Sequence, residues 1–453
     1  MVSKKPEASP RKVYTGINLT PIYSCNRGLL KCLIEKKNII IFIVLLVAIT
    51  AKINFKIREI WKFIDRGNGK VIELGRIHQS VINSFTFSPD GKIIATSNDR
   101  EVTLWNLEAE QIRRLSSDTT KTKIKSFVFS PDGQLIVTAS NTGVTLWNIQ
   151  GKQLWTAPFI FITQDYSPIP IVDFHPDGKM IVTRGNKEVK LWNLNGKEIQ
   201  TLHHKETIEA FKFSLDGQTI ATLSHQEVKL WSRSGEELQI LKTRGSFEDV
   251  SFSPDGRTII TIDRGNVNLW NPEGKLLTKL STFNEVFHVV PNSNNTAILT
   301  THSEEAKLWN YQGELLYVFK HNPYPMISWS PDNQIVATAG DSGVTLWNAK
   351  DGKEIQTFPE ISWWNFLTNL ELEYGCGDLS FSSNGQIIAA ICIFYYGSDA
   401  FKDGLRLWSR DGQEIWTPDE HGYESYVFSA DSQTLAVKHK GQIILLKLSV
   451  RKR

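Results

Sequence analysis

Apolar and polar residues alternate in short runs along most of the chain, and turn residues separate the runs. Residues 124–129 (Ile-Lys-Ser-Phe-Val-Phe) end at Ser-Pro-Asp-Gly, residues 134–140 form a second run rich in β-branched residues, and a third run ends at Trp147. Pro presets φ at the first corner of a turn and Gly supplies the positive φ, so the pattern predicts a hairpin. A short run after a second turn, such as residues 198–202, predicts a fourth strand. We call the four strands a, b, c and d.

This four-strand unit recurs about every 40 residues. Each copy except the ninth ends strand c with Leu-Trp, and Asn or Ser follows. The eight tryptophans are Trp105, Trp147, Trp192, Trp231, Trp270, Trp309, Trp347 and Trp408. The steps between them are 42, 45, 39, 39, 39, 38 and 61 residues, and Leu446 takes the same place in the ninth copy. A fixed period of this length indicates one structural unit copied along the chain.

The repeats resemble those of the WD40 family, especially bacterial members with Leu-Trp-Asn in place of Trp-Asp. The resemblance covers residues 70–449. It implies an all-β fold, a WD40-like β-propeller with a single closed ring of eight or nine four-stranded blades. Nine a-b-c sets can be counted. Residues 70–74 predict a strand d that would complete the last blade and seal the ring against the strand c near Leu448.

Several copies depart from the family pattern. The family has a His before strand a and an Asp before strand c, which pair with the Trp inside a blade. The resemblance implies such a network only around His78, Asp99 and Trp105, because the other copies lack one of the partners. His204 is the other His in the family's position. The remaining blades are expected to depend mainly on apolar packing.

An apolar segment precedes the repeats. Residues 38–51 carry no charge and are flanked by Lys36, Lys37 and Lys52. Extended through Phe55 they approach the roughly 20 residues that a transmembrane helix needs. We therefore expect a basic N-terminal tail over residues 1–37, a transmembrane helix over 38–55, a linker over 56–69 and the propeller over 70–449. A cleaved signal peptide and a core helix are the alternatives.

The net charge of +3 conceals an asymmetry. Residues 1–70 hold 14 Lys/Arg against 4 Asp/Glu, and the remainder holds 37 against 44, giving +10 and −7. A basic arm beside an apolar segment favours an anionic membrane surface. The distribution of Lys and Arg around the segment leaves the side of the propeller undecided. We do not expect a nucleic-acid partner, because the basic residues concentrate in the tail.

The chain has four cysteines, too few for a disulfide-built scaffold. Cys376 and Cys392 fall on strands a and b of the eighth copy, about equally far from the turn, so they could face each other. A disulfide and two small buried apolar residues are both consistent with this placement.

No motif for catalysis, a cofactor or a metal stands out. His203 and His204 are adjacent, so on a strand they point to opposite faces and cannot share a metal. The Asp residues of the Pro-Asp-Gly turns are read as turn formers. We therefore expect a protein that is not an enzyme and that holds no cofactor or metal.

Aromatic insertions fall in the d–a and b–c loops, which share one face of a WD40 propeller. Partner-binding hot spots are often aromatic, so these residues form the predicted partner site. They are Phe159, Phe161, Tyr324, Trp363, Trp364, Phe366, Tyr374, Tyr395 and Tyr396. Alternatively, the aromatics fold inward as a lid or plug the channel, or residues 363–374 form a short helix.

The first functional hypothesis is a non-enzymatic, membrane-anchored WD40-repeat scaffold that holds a protein or peptide on the face with the insertions. The alternative is an exported propeller that binds or processes a small ligand, such as a glycan, in its channel. Finding the propeller inside the cell would exclude the hypothesis that it is exported and binds a glycan.

Overall fold

The computed structural model describes residues 69–116, 123–158, 172–243, 245–280, 285–320, 326–340, 343–358, 372–396, 399–418 and 422–450. These residues belong to one compact unit, Asn68–Arg453. Within them every regular element is a β-strand, and no helix is long and apolar enough to cross a bilayer. The predicted tail, the predicted transmembrane helix and residues 56–68 of the predicted linker lie outside the described residues, and Gly69, the last residue of that linker, begins β1. The transmembrane helix therefore stays a prediction.

The strands form nine four-stranded antiparallel sheets, which confirms the all-β propeller and fixes the number of blades at nine. Blade 1 has β2 (Ser84–Phe87), β3 (Ile94–Ser97), β4 (Glu101–Trp105) and β5 (Gln111–Ser116). Blade 2 has β6 (Ile124–Phe129), β7 (Leu135–Ser140), β8 (Gly143–Asn148) and β9 (Gln153–Pro158). Blade 3 has β10 (Val172–Phe174), β11 (Met180–Arg184), β12 (Glu188–Asn193) and β13 (Glu198–His203).

The next three blades keep the same order. Blade 4 has β14 (Ile208–Phe213), β15 (Thr219–Ser224), β16 (Glu227–Ser232) and β17 (Glu237–Lys242). Blade 5 has β18 (Phe247–Phe252), β19 (Ile259–Asp263), β20 (Asn266–Trp270) and β21 (Leu276–Leu280). Blade 6 has β22 (His288–Pro291), β23 (Ile298–Thr301), β24 (Glu305–Trp309) and β25 (Leu315–Lys320).

The last three blades include the longest strands. Blade 7 has β26 (Met326–Trp329), β27 (Ile335–Gly340), β28 (Gly343–Asn348) and β29 (Glu354–Phe358). Blade 8 has β30 (Leu372–Phe381), β31 (Ile387–Tyr396), β32 (Asp399–Ser409) and β33 (Glu414–Trp416). Blade 9 has β34 (Tyr423–Phe428), β35 (Thr434–His439) and β36 (Gln442–Val450), and β1 (Gly69–Ile77) is its outer strand.

The ring is closed by strand pairing between the two ends of the repeat region. β1 pairs antiparallel with β36, from Gly69 opposite Val450 to Ile77 opposite Ile443. The predicted closure through residues 70–74 and the strand near Leu448 is therefore confirmed.

Apolar side chains form nine clusters, and each cluster joins two consecutive blades. The last of them places Ala436, Ile443 and Leu445 of blade 9 against Ile94 and Trp105 of blade 1. A sheet of this kind has two apolar faces and buries both only against its neighbours. Closure thus completes the core of the first and last blades.

Strand a is the innermost strand of each blade. Neighbouring blades contact each other through their first strands, as β6 does with β10, β14 with β18 and β26 with β30. Strand d is the outermost. Its first residues leave apolar side chains on the outside of the ring, including Leu154, Leu238 and Leu277.

A hydrogen bond repeats inside seven blades. The Trp indole Nε1 donates to the hydroxyl of a Thr nine residues earlier, on strand b, at 2.7–3.0 Å. The threonines are Thr96, Thr138, Thr183, Thr222, Thr261, Thr300 and Thr338. Blade 8 has Ala390 at this place although it keeps Trp408, and blade 9 has Val437 and Leu446. Blade 9 therefore lacks both the Trp donor and the Thr acceptor, and blade 8 lacks only the acceptor.

The predicted network of His78, Asp99 and Trp105 is wrong. The His78 side chain is exposed, and Asp99 accepts a hydrogen bond from the Asn83 amide at 2.8 Å. Adjacent residues of an extended chain point to opposite sides, so Gln79 points inward instead and accepts from Thr96 at 2.7 Å.

In blade 4 a His does reach the Trp–Thr pair. His204 Nε2 lies 2.6 Å from Thr222 Oγ1, which also accepts from Trp231. Burial lowers the pKa of His204 to about 4, and Lys229 adds to the effect, so the ring is neutral at pH 7. In blade 6, His302 contacts Thr300 at 3.0 Å in the same way.

The Pro-Asp-Gly turns are held by their own side chains. Asp132 Oδ1 accepts from the Ser130 hydroxyl at 2.6 Å and from the Gln134 N–H at 3.0 Å. The Ser130 hydrogen bond lowers the pKa of Asp132. Gly133 has φ of +70°, the conformation that glycine adopts without strain, and Asn295 takes this role in the sixth copy. The reading of these Asp residues as turn formers is confirmed at this turn.

Comparison of blades 5 and 8 isolates the contribution of the Trp–Thr hydrogen bond. Replacing Trp270 by Phe removes the indole N–H and leaves the buried Thr261 hydroxyl without its donor. Trp408→Phe replaces a similarly buried indole that has no Thr acceptor. An unsatisfied buried hydroxyl costs about 1–3 kcal/mol, so Trp270→Phe should lower the free energy of unfolding by about that much more than Trp408→Phe does. Urea denaturation measures both. Equal losses in the two variants would contradict the assignment.

Candidate functional site

Blade 8 differs from the other blades at one end. In blades 1–7 the first three strands have three to six residues, whereas β30, β31 and β32 have 10, 10 and 11. Leu372 at the start of strand a lies opposite Tyr396, and Tyr396 lies opposite Asp399. The additional residues therefore extend the blade at the end where the d–a and b–c connections lie. We call residues 372–375, 393–396 and 399–403 the blade 8 extension.

The extension places part of the predicted partner site on strands and not in loops. Tyr374 lies in β30, and Tyr395 and Tyr396 lie in β31, with Glu373 opposite Tyr395. The 61-residue step of this copy predicts a b–c loop here, whereas β31 continues as a strand through Tyr396. Four residues beyond Cys392 add about 13 Å to the strand.

The other predicted partner-site residues are Phe159, Phe161, Tyr324, Trp363, Trp364 and Phe366, and they lie outside the described residues. That these residues lie on the same face of the ring as the blade 8 extension stays a prediction. So does the alternative that the aromatics fold inward or plug the channel.

A disulfide lies at the base of the extension. Cys376 and Cys392 are directly opposite each other on β30 and β31, with their Cα atoms 4.0 Å apart, and their sulfur atoms are bonded. Both residues are buried between blades 7 and 8. The expectation that the two cysteines face each other is confirmed. The bond ties the two strands together where they leave the apolar core.

The inner wall of the ring carries charge over one arc. Asp173 and Lys212 lie two residues before the a–b turns of blades 3 and 4, and Asp249 and His288 lie four residues before those of blades 5 and 6. These positions alternate with apolar residues that pack on the preceding blade, such as Phe174 and Val250. In the other described copies the same two register positions hold Ser, Thr, Val, Ala or Met, except for Asp378 in blade 8.

The two carboxyl groups of this arc are partly desolvated. Burial raises the pKa of Asp173 to about 6, although the Phe174 N–H and Lys212 act to lower it. Burial likewise raises the pKa of Asp249, against the Val250 N–H, Lys212 and His288. Asp249 is nevertheless reached by solvent. A side chain on a channel wall combines these properties, because water touches it while protein surrounds it on most sides.

Each carboxyl has one oxygen occupied by the chain itself. Asp173 Oδ1 accepts from the Phe174 N–H at 2.7 Å, and Asp249 Oδ1 accepts from the Val250 N–H at 2.8 Å. Lys212 is exposed and makes no ion pair within 4.0 Å among the described residues. It therefore acts on both carboxyls through space without occupying either.

No group of three or more His, Cys, Asp or Glu side chains in the described part of the chain is arranged to hold a metal ion. His203 and His204, which the sequence offered as the single His pair, lie at the end of β13 and just after it. His204 faces Thr222 inside the blade while His203 is exposed.

Two sets of residues in the structure were not predicted from the sequence. The Thr column nine residues before each Trp was visible in seven copies and would have identified the acceptor. The charged arc was also visible once the copies were aligned on their Ser-Pro-Asp-Gly turns. That these charged residues line the channel follows only once strand a is known to be the innermost strand, and the sequence of a single copy does not show this.

Comparison with protein families gives two partial matches. The repeat family described as "WD domain, G-beta repeat" matches residues 71–106 and 313–348. A family of unknown function, DUF5711, matches residues 108–268. The chain carries WD40 repeats. Together with the nine sheets this confirms the WD40 resemblance at the level of the repeat and the propeller. The search of curated proteins finds no significant match.

Solved structures share the fold at low sequence identity. One is described as the crystal structure of the eukaryotic initiation factor, with a TM-score of 0.57 and 15% identity over 77% of this chain and 90% of that chain. Another is the C-terminal WD40 domain of Sif2, with a TM-score of 0.53 and 17% identity over 83% and 98% of the two chains. At these identities the likeness concerns the architecture alone.

Proposed function

We propose that this protein is a non-enzymatic scaffold that residues 38–55 tether to a membrane and that docks a protein or peptide partner. The docking surface is the ring face with the d–a and b–c connections. WD40 propellers commonly bind protein partners, and the repeats and the nine-bladed ring support the comparison. The partner-binding role of this particular face is our inference.

The observation that carries the proposal is the blade 8 extension. The three strands β30, β31 and β32 are longer than the corresponding strands of blades 1–7, and a disulfide joins β30 to β31 at the base of the additional residues. Tyr374, Tyr395 and Tyr396 lie in these strands, and Trp363, Trp364 and Phe366 precede them in the chain. Aromatic side chains lose little conformational entropy on binding and are enriched at interface hot spots.

We further place the propeller on the non-cytoplasmic side of the membrane. A disulfide between two buried strand residues supports this placement, because such bonds persist in oxidising compartments and are rare in the cytosol. The eight Lys and Arg residues of the N-terminal tail favour the same placement and the basic residues just after the segment favour the opposite one, so the disulfide carries the assignment.

Partner capture tests the docking face. Full-length protein from solubilised membranes should enrich a partner, and Trp363→Ala, Trp364→Ala and Tyr395→Ala together should reduce recovery of that partner at least tenfold. The control variant Leu154→Ser, Leu238→Ser and Leu277→Ser removes three exposed apolar side chains from the outer strands and should leave recovery unchanged. Equal recovery with the aromatic and control variants would refute the assignment of this face.

Thiol labelling in intact cells tests the orientation. In a Cys25→Ser, Cys32→Ser chain only Cys376 and Cys392 remain. After free thiols are blocked under denaturing conditions, both cysteines should accept a label only once the protein has been reduced. The same chain beginning at residue 69 and kept in the cytosol should be blocked without reduction. Free thiols in the full-length chain would place the propeller in a reducing compartment.

A further inference from the structure

A cavity lies at the seam where the ring is closed, on the face with the d–a and b–c connections. Its volume is about 390 Å³, and it is open to solvent. Two short segments line it. Residues 78–80 follow β1, and residues 440–442 form the b–c turn of blade 9 and the start of β36. Ligand pockets have volumes of roughly 300–1,000 Å³, so this cavity has room for a side chain or a chain terminus of a peptide.

The lining of the cavity carries hydrogen-bond donors and no carboxylate. Lys440 supplies a positive charge, and neither Asp nor Glu is present to balance it in the lining. The side chains of His78, Ser80 and Gln442 are not hydrogen-bonded to any described residue, so their donors can serve a ligand. The six lining residues are His78, Gln79, Ser80, Lys440, Gly441 and Gln442.

Gln79 adds a buried donor whose direction is fixed by the blade. Trp105 Nε1 donates to Thr96 Oγ1 at 2.9 Å, and the Thr96 hydroxyl donates onward to Gln79 Oε1 at 2.7 Å. The amide Nε2 therefore points away from Thr96, and it is buried with no hydrogen-bond partner among the described residues. A buried donor without a partner is costly, so an acceptor that reaches Nε2 through the cavity removes that cost.

We propose that this cavity binds a carboxylate of the docked polypeptide, either an acidic side chain or the C-terminal carboxylate. An ionised carboxylate only accepts hydrogen bonds, so it matches a lining made of donors, and its charge is opposite to that of Lys440. Gln79 Nε2 and the Lys440 ammonium are the principal donors. The inference rests on the proposed docking of a polypeptide for the source of the carboxylate, and it uses none of the loop aromatics.

Binding at this seam should strengthen the closure of the ring. The two lining segments adjoin the last pair of the closing strands, where Ile77 lies opposite Ile443. A ligand that contacts both segments binds the closed ring and not a ring opened at this seam, and it therefore stabilises closure by mass action. Slower hydrogen exchange of the Ile443 amide in the presence of ligand measures this effect.

Ligand-observed NMR titration of the full-length protein in detergent tests the proposal with three peptides. They are acetyl-Ala-Glu-Ala-amide, its uncharged isostere acetyl-Ala-Gln-Ala-amide, and acetyl-Ala-Gln-Ala with a free C-terminal carboxylate. We expect at least one of the two carboxylate peptides to bind at least tenfold more tightly than the uncharged peptide and to slow exchange of the Ile443 amide. Which carboxylate peptide binds more tightly distinguishes an acidic side chain from a chain terminus.

Variants locate binding in the cavity. Lys440→Asn removes the charge and keeps the backbone, because Lys440 has φ of +48° and Asn tolerates this conformation. Gln79→Glu keeps an acceptor for Thr96 and removes the amide donor. Each should weaken binding of the carboxylate peptide at least fivefold. Lys187→Asn, in the b–c turn of blade 3 on the same face, is the matched control and should bind as the wild type does.

Three results would overturn the proposal. One is that neither carboxylate peptide binds more tightly than the uncharged peptide. Another is unchanged binding in the exposed Lys440→Asn variant and in a Gln79→Glu variant whose urea midpoint shows that it folds. The third is tighter binding of inorganic phosphate than of either carboxylate peptide. All three leave the docking face untouched, because partner capture is tested through Trp363, Trp364 and Tyr395, which are intact in these chains. Failure of partner capture, in turn, leaves the peptide titration unaffected.

Discussion

Closure of the ring is the constraint on which the rest of this structure depends. Each four-stranded sheet has two apolar faces, and one blade alone can bury neither. Nine interblade clusters make up the core, and the one between blades 9 and 1 exists only because β1 completes blade 9 from the other end of the repeats. A ring of sheets also leaves only short outer edges at its perimeter, which limits pairing with other chains.

Inside this frame the blades are held by a polar bond as well as by packing. The Trp–Thr hydrogen bond recurs in seven blades, and Gln79, His204 or His302 extends it in three of them. The blades that lack Thr replace it by Ala390 or Val437, so no hydroxyl is buried there without a donor. In blade 9 the donor and the acceptor are both replaced, and blade 8 keeps Trp408 without a Thr; an apolar residue in place of Thr avoids the cost of an unsatisfied buried hydroxyl.

Repetition explains how much of the fold could be predicted from the sequence. The hairpin turns, the Leu-Trp column and residues 70–74 were sufficient for the architecture and its closure, because nine copies average out local ambiguity. The prediction for His78 was wrong by one residue. Adjacent residues of an extended chain point to opposite sides, and Gln79, not His78, points into the blade. The long step before Trp408 predicts loops in blade 8, but residues 393–396 are apolar and aromatic, have no turn residue among them, and continue the strand.

The candidate sites were less predictable for a physical reason. The facing positions of Cys376 and Cys392 followed from their distance to one turn, with a disulfide left open, whereas the charged arc depends on which strand is innermost and on how neighbouring blades are arranged. Asp173 and Lys212 are 39 residues apart in sequence, and only the ring places them on the innermost strands of adjacent blades. The sequence therefore predicts a candidate site whose residues belong to one blade better than one whose residues come from several blades.

Amide hydrogen exchange of β36 tests closure most directly. In the full-length protein the amides of Gln442–Val450 that bond to β1 should be protected as strongly as those of central strands in other blades. In a chain that begins at His78 those amides should exchange several orders of magnitude faster, while blades 4 and 5, on the far side of the ring, retain most of their protection. Equal protection of β36 in the two chains would contradict a ring closed by β1.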